Sequence, residues 1–149
     1  MHFKETVYKM YAGLLQDKIR QHEDVLRELA TSAANETKST AGDKHETALA
    51  MLQIEQENKR KQLNELLEQK KILQRIDPLK SAGTVLNGSL VKTDKGHFYL
   101  SIALGKTTIA GETIFALSPS APLGKKLVGC KTGSTVEMNG TVYTIISVE

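Results

Sequence analysis

The chain has 149 residues and a formal net charge of only +3, from 20 Lys and Arg against 17 Asp and Glu, which argues against a protein that coats DNA. Cys130 is its only cysteine, so an intrachain disulfide and a cysteine-based zinc site are both excluded. With no apolar run near the roughly 18 residues of a membrane span and no signal-peptide core, the sequence predicts a cytoplasmic protein without membrane contact.

The first predicted element is a long helix from about residue 5 to residue 35. Its apolar residues alternate four and three positions apart, which is the heptad seam of a coiled coil. The seam positions are Tyr8, Ala12, Leu15, Ile19, His22, Leu26, Leu29 and Ala33. We interpret His22, the polar member, as a residue that sets the register of the coiled coil rather than as a catalytic group.

A polar stretch at residues 35–42 predicts a turn, and a second helix is predicted from about residue 44 to residue 76. Its seam positions are Leu49, Leu52, Gln56, Lys59, Leu63, Leu66, Lys70 and Leu73. A turn near residues 39 and 40 would place His22 opposite Gln56 and Lys59, so that polar residues meet polar residues. This pattern favours an antiparallel intramolecular coiled coil, with each arm roughly 45 Å long. A helical pair that dimerises is the alternative.

Pro78 ends the second helix, because proline disfavours helical geometry in the residue before it. Glycines and β-branched residues then dominate, and strands are predicted near residues 84–91, 97–103, 107–109, 113–117, 134–138 and 141–148. Asn139-Gly140 is a strong hairpin signal. Ser120 as N-cap, Pro122 in the first turn and Gly129 beyond the end predict one short helix. The predicted fold is α+β, with a helical hairpin at 1–77 and a small β-rich domain at 78–149.

Two carboxylates, Asp43 and Glu46, lie three residues apart in the turn between the long helices. Residues at this spacing share one face of a helix. Carboxylate oxygens are the ligands that Mg²⁺ prefers, and the ion commonly takes only one or two of them from a protein. The competing interpretation is a capping box, in which Asp43 caps the second helix and Glu46 reaches back to the amide of the cap.

The chain resembles the Gre-type transcript cleavage factors of bacterial RNA polymerase in two motifs. The family pattern at the turn is Gly-Asp-x-x-Glu-Asn-Ala, and this chain has Gly42-Asp43-Lys44-His45-Glu46-Thr47-Ala48. The family signature in the small domain, Ser-Pro-Leu-Ala-x-x-Leu-hydrophobic-Gly-Lys-x-x-Gly-Asp, corresponds to residues 121–134 of this chain, which read APLGKKLVGCKTGS. The order and spacing of the two motifs make the resemblance fairly specific.

The resemblance implies a monomeric transcription elongation factor with an FKBP-like C-terminal domain. That domain would dock at the rim of the secondary channel of bacterial RNA polymerase. The coiled coil would enter the channel and bring its acidic tip to the catalytic Mg²⁺, beside the 3′ end of the nascent RNA. The polymerase active site would then cut backtracked RNA, so the protein would be an accessory factor and not itself an enzyme.

The resemblance also implies roles for individual residues. Asp43 would contact the metal directly, and Glu46 would be a second ligand or would orient the attacking water, in both cases only within the polymerase active site. The residues that support the tip would be Gly42, Lys44, His45 and Thr47. The residues that dock on the polymerase would be Pro122, Lys125, Lys126 and Lys131. Isolated protein is expected to bind Mg²⁺ poorly and to have no nuclease activity of its own.

Three other interpretations remain open at this point. Thr47, Leu49 and Ala50 depart from the family pattern, which leaves room for a channel regulator or inhibitor without cleavage activity. An FKBP-like fold also raises the possibility of a prolyl isomerase, although its four aromatic residues are few for a ligand pocket and some of them must fill the core. A cysteine enzyme is the least favoured, because Cys130 follows the end of the short helix rather than its beginning, where a thiolate would be stabilised.

Overall fold

The computed structural model describes residues 3–37 and 43–149, apart from the side chains of residues 37 and 43–45. These residues form two long helices, then four strands, a short helix and two further strands. The helices are α1 (Phe3–Thr37), α2 (Asp43–Gln74) and α3 (Pro122–Leu127). The strands are β1 (Leu90–Thr93), β2 (Gly96–Leu100), β3 (Gly105–Ile109), β4 (Glu112–Leu117), β5 (Thr135–Met138) and β6 (Thr141–Val148). The predicted α+β fold is confirmed, and no described helix is both long and apolar enough to cross a bilayer.

The heptad seams predicted for α1 and α2 agree with the burial of their side chains. All sixteen seam positions are buried or half-buried, whereas most of the positions between them are exposed. Such a stripe on each helix is what a coiled-coil pair requires. The N-terminal part of α1 buries more than the stripe, because Val7 and Tyr11 are both completely inaccessible to solvent.

His22 contacts a different residue from the one that the seam predicted. Its Nε2 lies 3.3 Å from Oε1 of Gln62, and its Nδ1 lies 2.9 Å from the carbonyl oxygen of Lys18. A polar contact across the pair is therefore present, and the residue that makes it is Gln62 rather than the predicted Gln56 or Lys59. Positions 22 and 62 are symmetrical about residue 42, whereas the prediction assumed a turn near residues 39 and 40.

The chain divides into two compact units. One contains Gly13–Lys70, which is the main part of the two long helices. The other, which we call the sheet unit, contains the beginning of α1 together with Lys71–Glu149, and therefore the whole sheet. The predicted domains, 1–77 and 78–149, stay a prediction of how the chain is organised.

The six strands form one sheet in the order β3-β4-β2-β1-β6-β5, so β3 and β5 are its edges. Neighbouring strands are antiparallel except for β2 and β4, which pair in parallel. The predicted Asn139-Gly140 hairpin is confirmed, with φ of +52° and +80° as a type I′ turn requires.

Two local predictions in this unit are wrong. The first strand begins at Leu90 rather than at residue 84, because the residues before Leu90 form hydrogen bonds outside the sheet. The Val85 amide donates to the carbonyl oxygen of Cys130, and the Leu86 amide donates to Ser89 Oγ. The N-cap of α3 is Ala121 and not Ser120. The Ser120 amide donates to Ser118 Oγ at 3.1 Å, so this residue belongs to the preceding turn.

Apolar side chains cover both faces of the sheet. One face carries a cluster that includes α3, formed by Val85, Val91, Phe98, Leu100, Leu127, Val136 and Ile145. On the other face, Tyr99 of β2 is buried and its ring stacks on that of Tyr11 in α1, with centroids 6.2 Å apart. The first turns of α1 are therefore part of the core of the sheet unit.

Replacing Tyr11 with Phe is expected to lower the free energy of unfolding by about 1–3 kcal/mol, because a buried hydrogen bond is lost. The Tyr11 hydroxyl donates to the carbonyl oxygen of Gly105 at 2.8 Å and also lies 3.3 Å from that of Ile114. Burial raises the pKa of Tyr11 to about 12. Urea denaturation measures the change. Tyr143→Phe removes the same atom from a half-buried ring and is the control; an equal loss in both variants would contradict the prediction.

Candidate functional site

The acidic motif lies at the beginning of α2. Asp43 is the first residue of the helix, so Asp43 and Glu46 are one turn apart on the same face. Glu46 and Thr47 are exposed. Gly42 lies outside the described residues, as do the side chains of Asp43, Lys44 and His45. The structure therefore fixes the helical spacing of the two acids, while the capping box stays a hypothesis.

The electrostatics of this position suit carboxylates. The first turn of a helix presents unpaired amide groups and the positive end of the helix dipole, so negative side chains are favourable there. An exposed carboxylate such as that of Glu46 remains hydrated and free to meet a cation brought by a partner. The acidic pair therefore has a local structural reason to lie at the beginning of α2.

The donor set of the acidic pair is of the kind that binds Mg²⁺. Two carboxylates supply oxygen ligands of the kind that Mg²⁺ prefers, but the ion requires six ligands in nearly octahedral geometry. Among residues 3–36 and 46–149, whose side chains are described, no cluster of three or more His, Cys, Asp and Glu could hold a metal. Waters or a partner molecule would supply the remaining ligands.

A second candidate surface lies on α3. Pro122, Lys125 and Lys126 are exposed and occupy positions i, i+3 and i+4, which face the same way on a helix. Gly124 and Leu127 are buried on the opposite side. We call Pro122, Lys125 and Lys126 the α3 surface. Its Lys126 is tied to the sheet, because Nζ donates to the carbonyl oxygen of Glu137 at 2.7 Å.

The loop after α3 holds Cys130 and Lys131. Lys131 is exposed, and its backbone amide donates to Ser134 Oγ at 3.2 Å. Cys130 packs against the core, and its thiol donates to the carbonyl oxygen of Lys126 at 3.2 Å. These contacts favour a structural role for Cys130 over that of a nucleophile.

The aromatic residues of the sheet unit are occupied in packing. The ring of Phe98 stacks on that of Phe115 at 5.5 Å and meets the edge of Tyr143 at 5.4 Å. Tyr99 packs against Tyr11 on the other face. Rings that fill the two cores in this way are not available to line a proline-binding pocket, so the geometry does not favour a prolyl isomerase.

Sequence reasoning missed a pocket around His97. It is a cavity of about 430 Å³ whose wall includes Phe3, Lys92 and Glu112. These residues come from one helix and three strands, so no sequence motif joins them. The one usable signal is His97 itself, a polar residue followed directly by Phe98, Tyr99 and Leu100 of a buried strand.

Comparison with known proteins gives little beyond this geometry. The chain matches no protein-family model and no curated protein sequence. Among solved structures, that of the transcription factor Gfh1 is similar over 92% of this chain and 92% of its own, at 16% sequence identity and a TM-score of 0.37. A likeness with these values supports no statement about function. A proposal about function therefore has to be argued from the sequence motifs and the geometry of this chain.

Proposed function

We propose that this protein is a transcription elongation factor that binds bacterial RNA polymerase and stimulates Mg²⁺-dependent cleavage of backtracked RNA by the polymerase active site. The observation that carries the proposal is the acidic pair at the beginning of α2. Asp43 and Glu46 stand one helical turn apart where a long helix begins, and Glu46 is exposed. The sequence around this pair resembles the tip motif of the Gre-type cleavage factors.

The helices supply the reach that the proposal requires. α2 has 32 residues and is therefore about 48 Å long at the standard helical rise. Buried seam positions along both helices favour a stiff pair over two independent segments. A stiff helical pair can deliver a carboxylate to a recessed active site that a short loop would not reach.

The chemistry needs only a small contribution from this chain. Phosphodiester hydrolysis at a two-metal site uses Mg²⁺ to generate hydroxide and to stabilise the leaving oxygen. Asp43 would bind an ion held by the polymerase, and Glu46 would supply a second ligand or orient the attacking water. Lys44 and His45 would contact nucleic acid or polymerase beside them. Catalysis would remain with the polymerase, and the accessory protein would carry no complete active site.

The sheet unit would provide the docking surface. Lys125 on the α3 surface and Lys131 in the following loop are exposed cations, and Pro122 is an exposed apolar residue beside them. Positive side chains steer a protein towards an acidic partner and fix its orientation more than they add to its affinity. The corresponding stretch of sequence also carries the second motif of the resemblance.

Backtracked elongation complexes carrying 3′-labelled RNA test the proposal. Adding the protein should release short labelled 3′ fragments, and omitting Mg²⁺ or the polymerase should prevent their release. Binding is measured in parallel on the same complexes. Failure to bind polymerase would overturn the proposal, and so would cleavage of naked RNA by the protein alone.

A second function is favoured by the departures beside the acids. Thr47, Leu49 and Ala50 differ from the family pattern, and half-buried Leu49 belongs to the seam of α2. A factor with such a tip would occupy the channel and regulate polymerase without promoting cleavage. In the same experiment it would bind the elongation complex and release no fragments.

Charge reversal at Lys125 tests the docking surface separately. Lys125→Glu is expected to weaken binding to polymerase about three- to tenfold, mainly by slowing association, with a smaller difference at high salt. Binding rates at two salt concentrations measure the effect. Lys106→Glu makes the same charge change on exposed residue 106 of edge strand β3 and is the control. Equal weakening by both variants would show that only net charge matters.

A further inference from the structure

The cavity beside His97 has the size and the enclosed polar group of a binding site. Its volume of about 430 Å³ lies within the usual range for small-molecule pockets. It belongs entirely to the sheet unit. Lys92 of β1 is the cross-strand partner of His97 in β2 and of Ser147 in β6, so the three residues lie side by side. Such partners project from the same face of a sheet.

His97 offers this cavity a ring nitrogen that has no hydrogen-bond partner in the described structure. This nitrogen is the buried Nδ1, and the His97 side chain is only 9% exposed. Burial lowers the pKa of His97 and so favours the neutral ring, in which Nδ1 presents a lone pair when the proton is on Nε2.

A carboxylate faces this nitrogen. Oε2 of Glu112 lies 3.6 Å from Nδ1 of His97, which is beyond hydrogen-bond distance. The Glu112 side chain is 52% exposed and can turn at little cost. An unpaired buried acceptor is costly, which makes a donor at this point favourable.

The other groups in the wall favour a cation as that donor. With His97 neutral, the charged side chains of the cavity are those of Lys92, Glu112 and Glu149, which give a net charge of −1. Phe3 adds an aromatic ring, 5.3 Å from the His97 ring, and ring faces attract cations. Ser147 supplies a neutral hydroxyl beside them.

We propose that the His97 cavity binds an ammonium or guanidinium group, which donates hydrogen bonds to Nδ1 of His97 and to the carboxylate of Glu112. The Glu112 side chain turns outward to admit the donor, and Phe3 closes one side of the site. The cation belongs either to a small diffusible amine or to an arginine or lysine side chain of a partner protein. The proposal does not depend on transcript cleavage or on the acidic pair of α2.

Binding is tested on the free full-length chain by NMR, with agmatine and N-acetylarginine methylamide as probes. Agmatine represents a diffusible amine, and the blocked arginine represents a protein side chain. We expect saturable shifts at His97 and at neighbouring backbone amides with at least one probe, and the better probe identifies the source of the cation. Because no polymerase is present, the result is independent of the proposed function.

Two variants make the test specific. Glu112→Gln removes the charge and should weaken binding about tenfold or more, as loss of a charged hydrogen-bond partner does. Glu137→Gln removes an exposed carboxylate from β5 and should change nothing. Binding should also weaken as the pH falls through the pKa of His97. The protonated ring donates a hydrogen bond to Glu112 itself, and its positive charge adds to that of Lys92 in repelling the cationic probe. Absence of saturable shifts with both probes, or equal affinity in Glu112→Gln, would overturn the proposal.

Discussion

The Asp43→Asn/Glu46→Gln variant is expected to bind RNA polymerase as tightly as the wild type and to release backtracked RNA fragments at least about 100-fold more slowly, because metal-binding charge is lost. The two amides separate metal binding from helix capping. Asn is as good an N-cap as Asp, and Gln replaces Glu in a capping box. The fold of α2 should therefore be retained while the ligands for Mg²⁺ are removed.

Labelled-RNA release from stalled complexes at several Mg²⁺ concentrations measures this effect. High Mg²⁺ should restore part of the lost rate if the carboxylates act by binding the metal. Glu57→Gln changes an exposed acid farther along α2 and should leave the rate unchanged. If the amide variant cleaves as fast as the wild type, the acidic pair is a helix cap and the proposed chemistry is wrong.

Gly124→Ala is expected to lower the free energy of unfolding by about 3 kcal/mol or more, because a methyl group has no room at this position. A Cβ atom on Gly124 would lie 2.2 Å from the carbonyl oxygen of Ser118 and 3.1 Å from Cα of Pro119. Both atoms belong to the backbone, so α3 would have to move away from residues 118 and 119. The better helix propensity of alanine, about 1 kcal/mol, offsets only part of this cost.

Gly13→Ala is the matched control, since Gly13 is also helical but has no heavy atom within 4 Å of its would-be Cβ. Here alanine should stabilise the protein by about 0.5–1 kcal/mol. Thermal and urea denaturation of both variants measure the difference. A stable Gly124→Ala protein would mean that α3 is not held against the Ser118–Pro119 backbone.

The long helices could be predicted because the spacing of apolar residues along the sequence indicates which positions are buried. A seam such as Leu63, Leu66, Lys70 and Leu73 repeats with the helical period, and its burial follows directly. The register of the pair, meaning which residues of α1 face which residues of α2, could not be predicted from this periodicity. It depends on how the two helices are aligned, and His22 contacts Gln62 rather than the predicted Gln56 or Lys59.

The sheet shows the same limit. Alternating residues predicted the strands, but the parallel pairing of β2 with β4 joins segments separated by β3, and no local pattern encodes it. The segment before Leu90 has the composition of a strand yet bonds to residues near α3. Tertiary hydrogen bonds outweighed β propensity there.

The two candidate sites differ for a related reason. Asp43 and Glu46 are neighbours in sequence, so their spacing could be predicted from the helix alone. His97 and Glu112 are brought together only when β2 pairs with β4, where His97 lies opposite Ile114. A cavity built by strand pairing is visible only after the fold is known.

Lys126 has a further consequence for the solution behaviour of the protein. Strand β5 is an edge, and an exposed edge strand is a template on which another chain can add a strand. The Lys126 ammonium occupies one backbone acceptor of that edge by bonding to the Glu137 carbonyl. Such a bond leaves one acceptor fewer for pairing with a second chain. We expect Lys126→Ala to self-associate more readily than Lys125→Ala, because only Lys126 occupies a backbone acceptor of this edge.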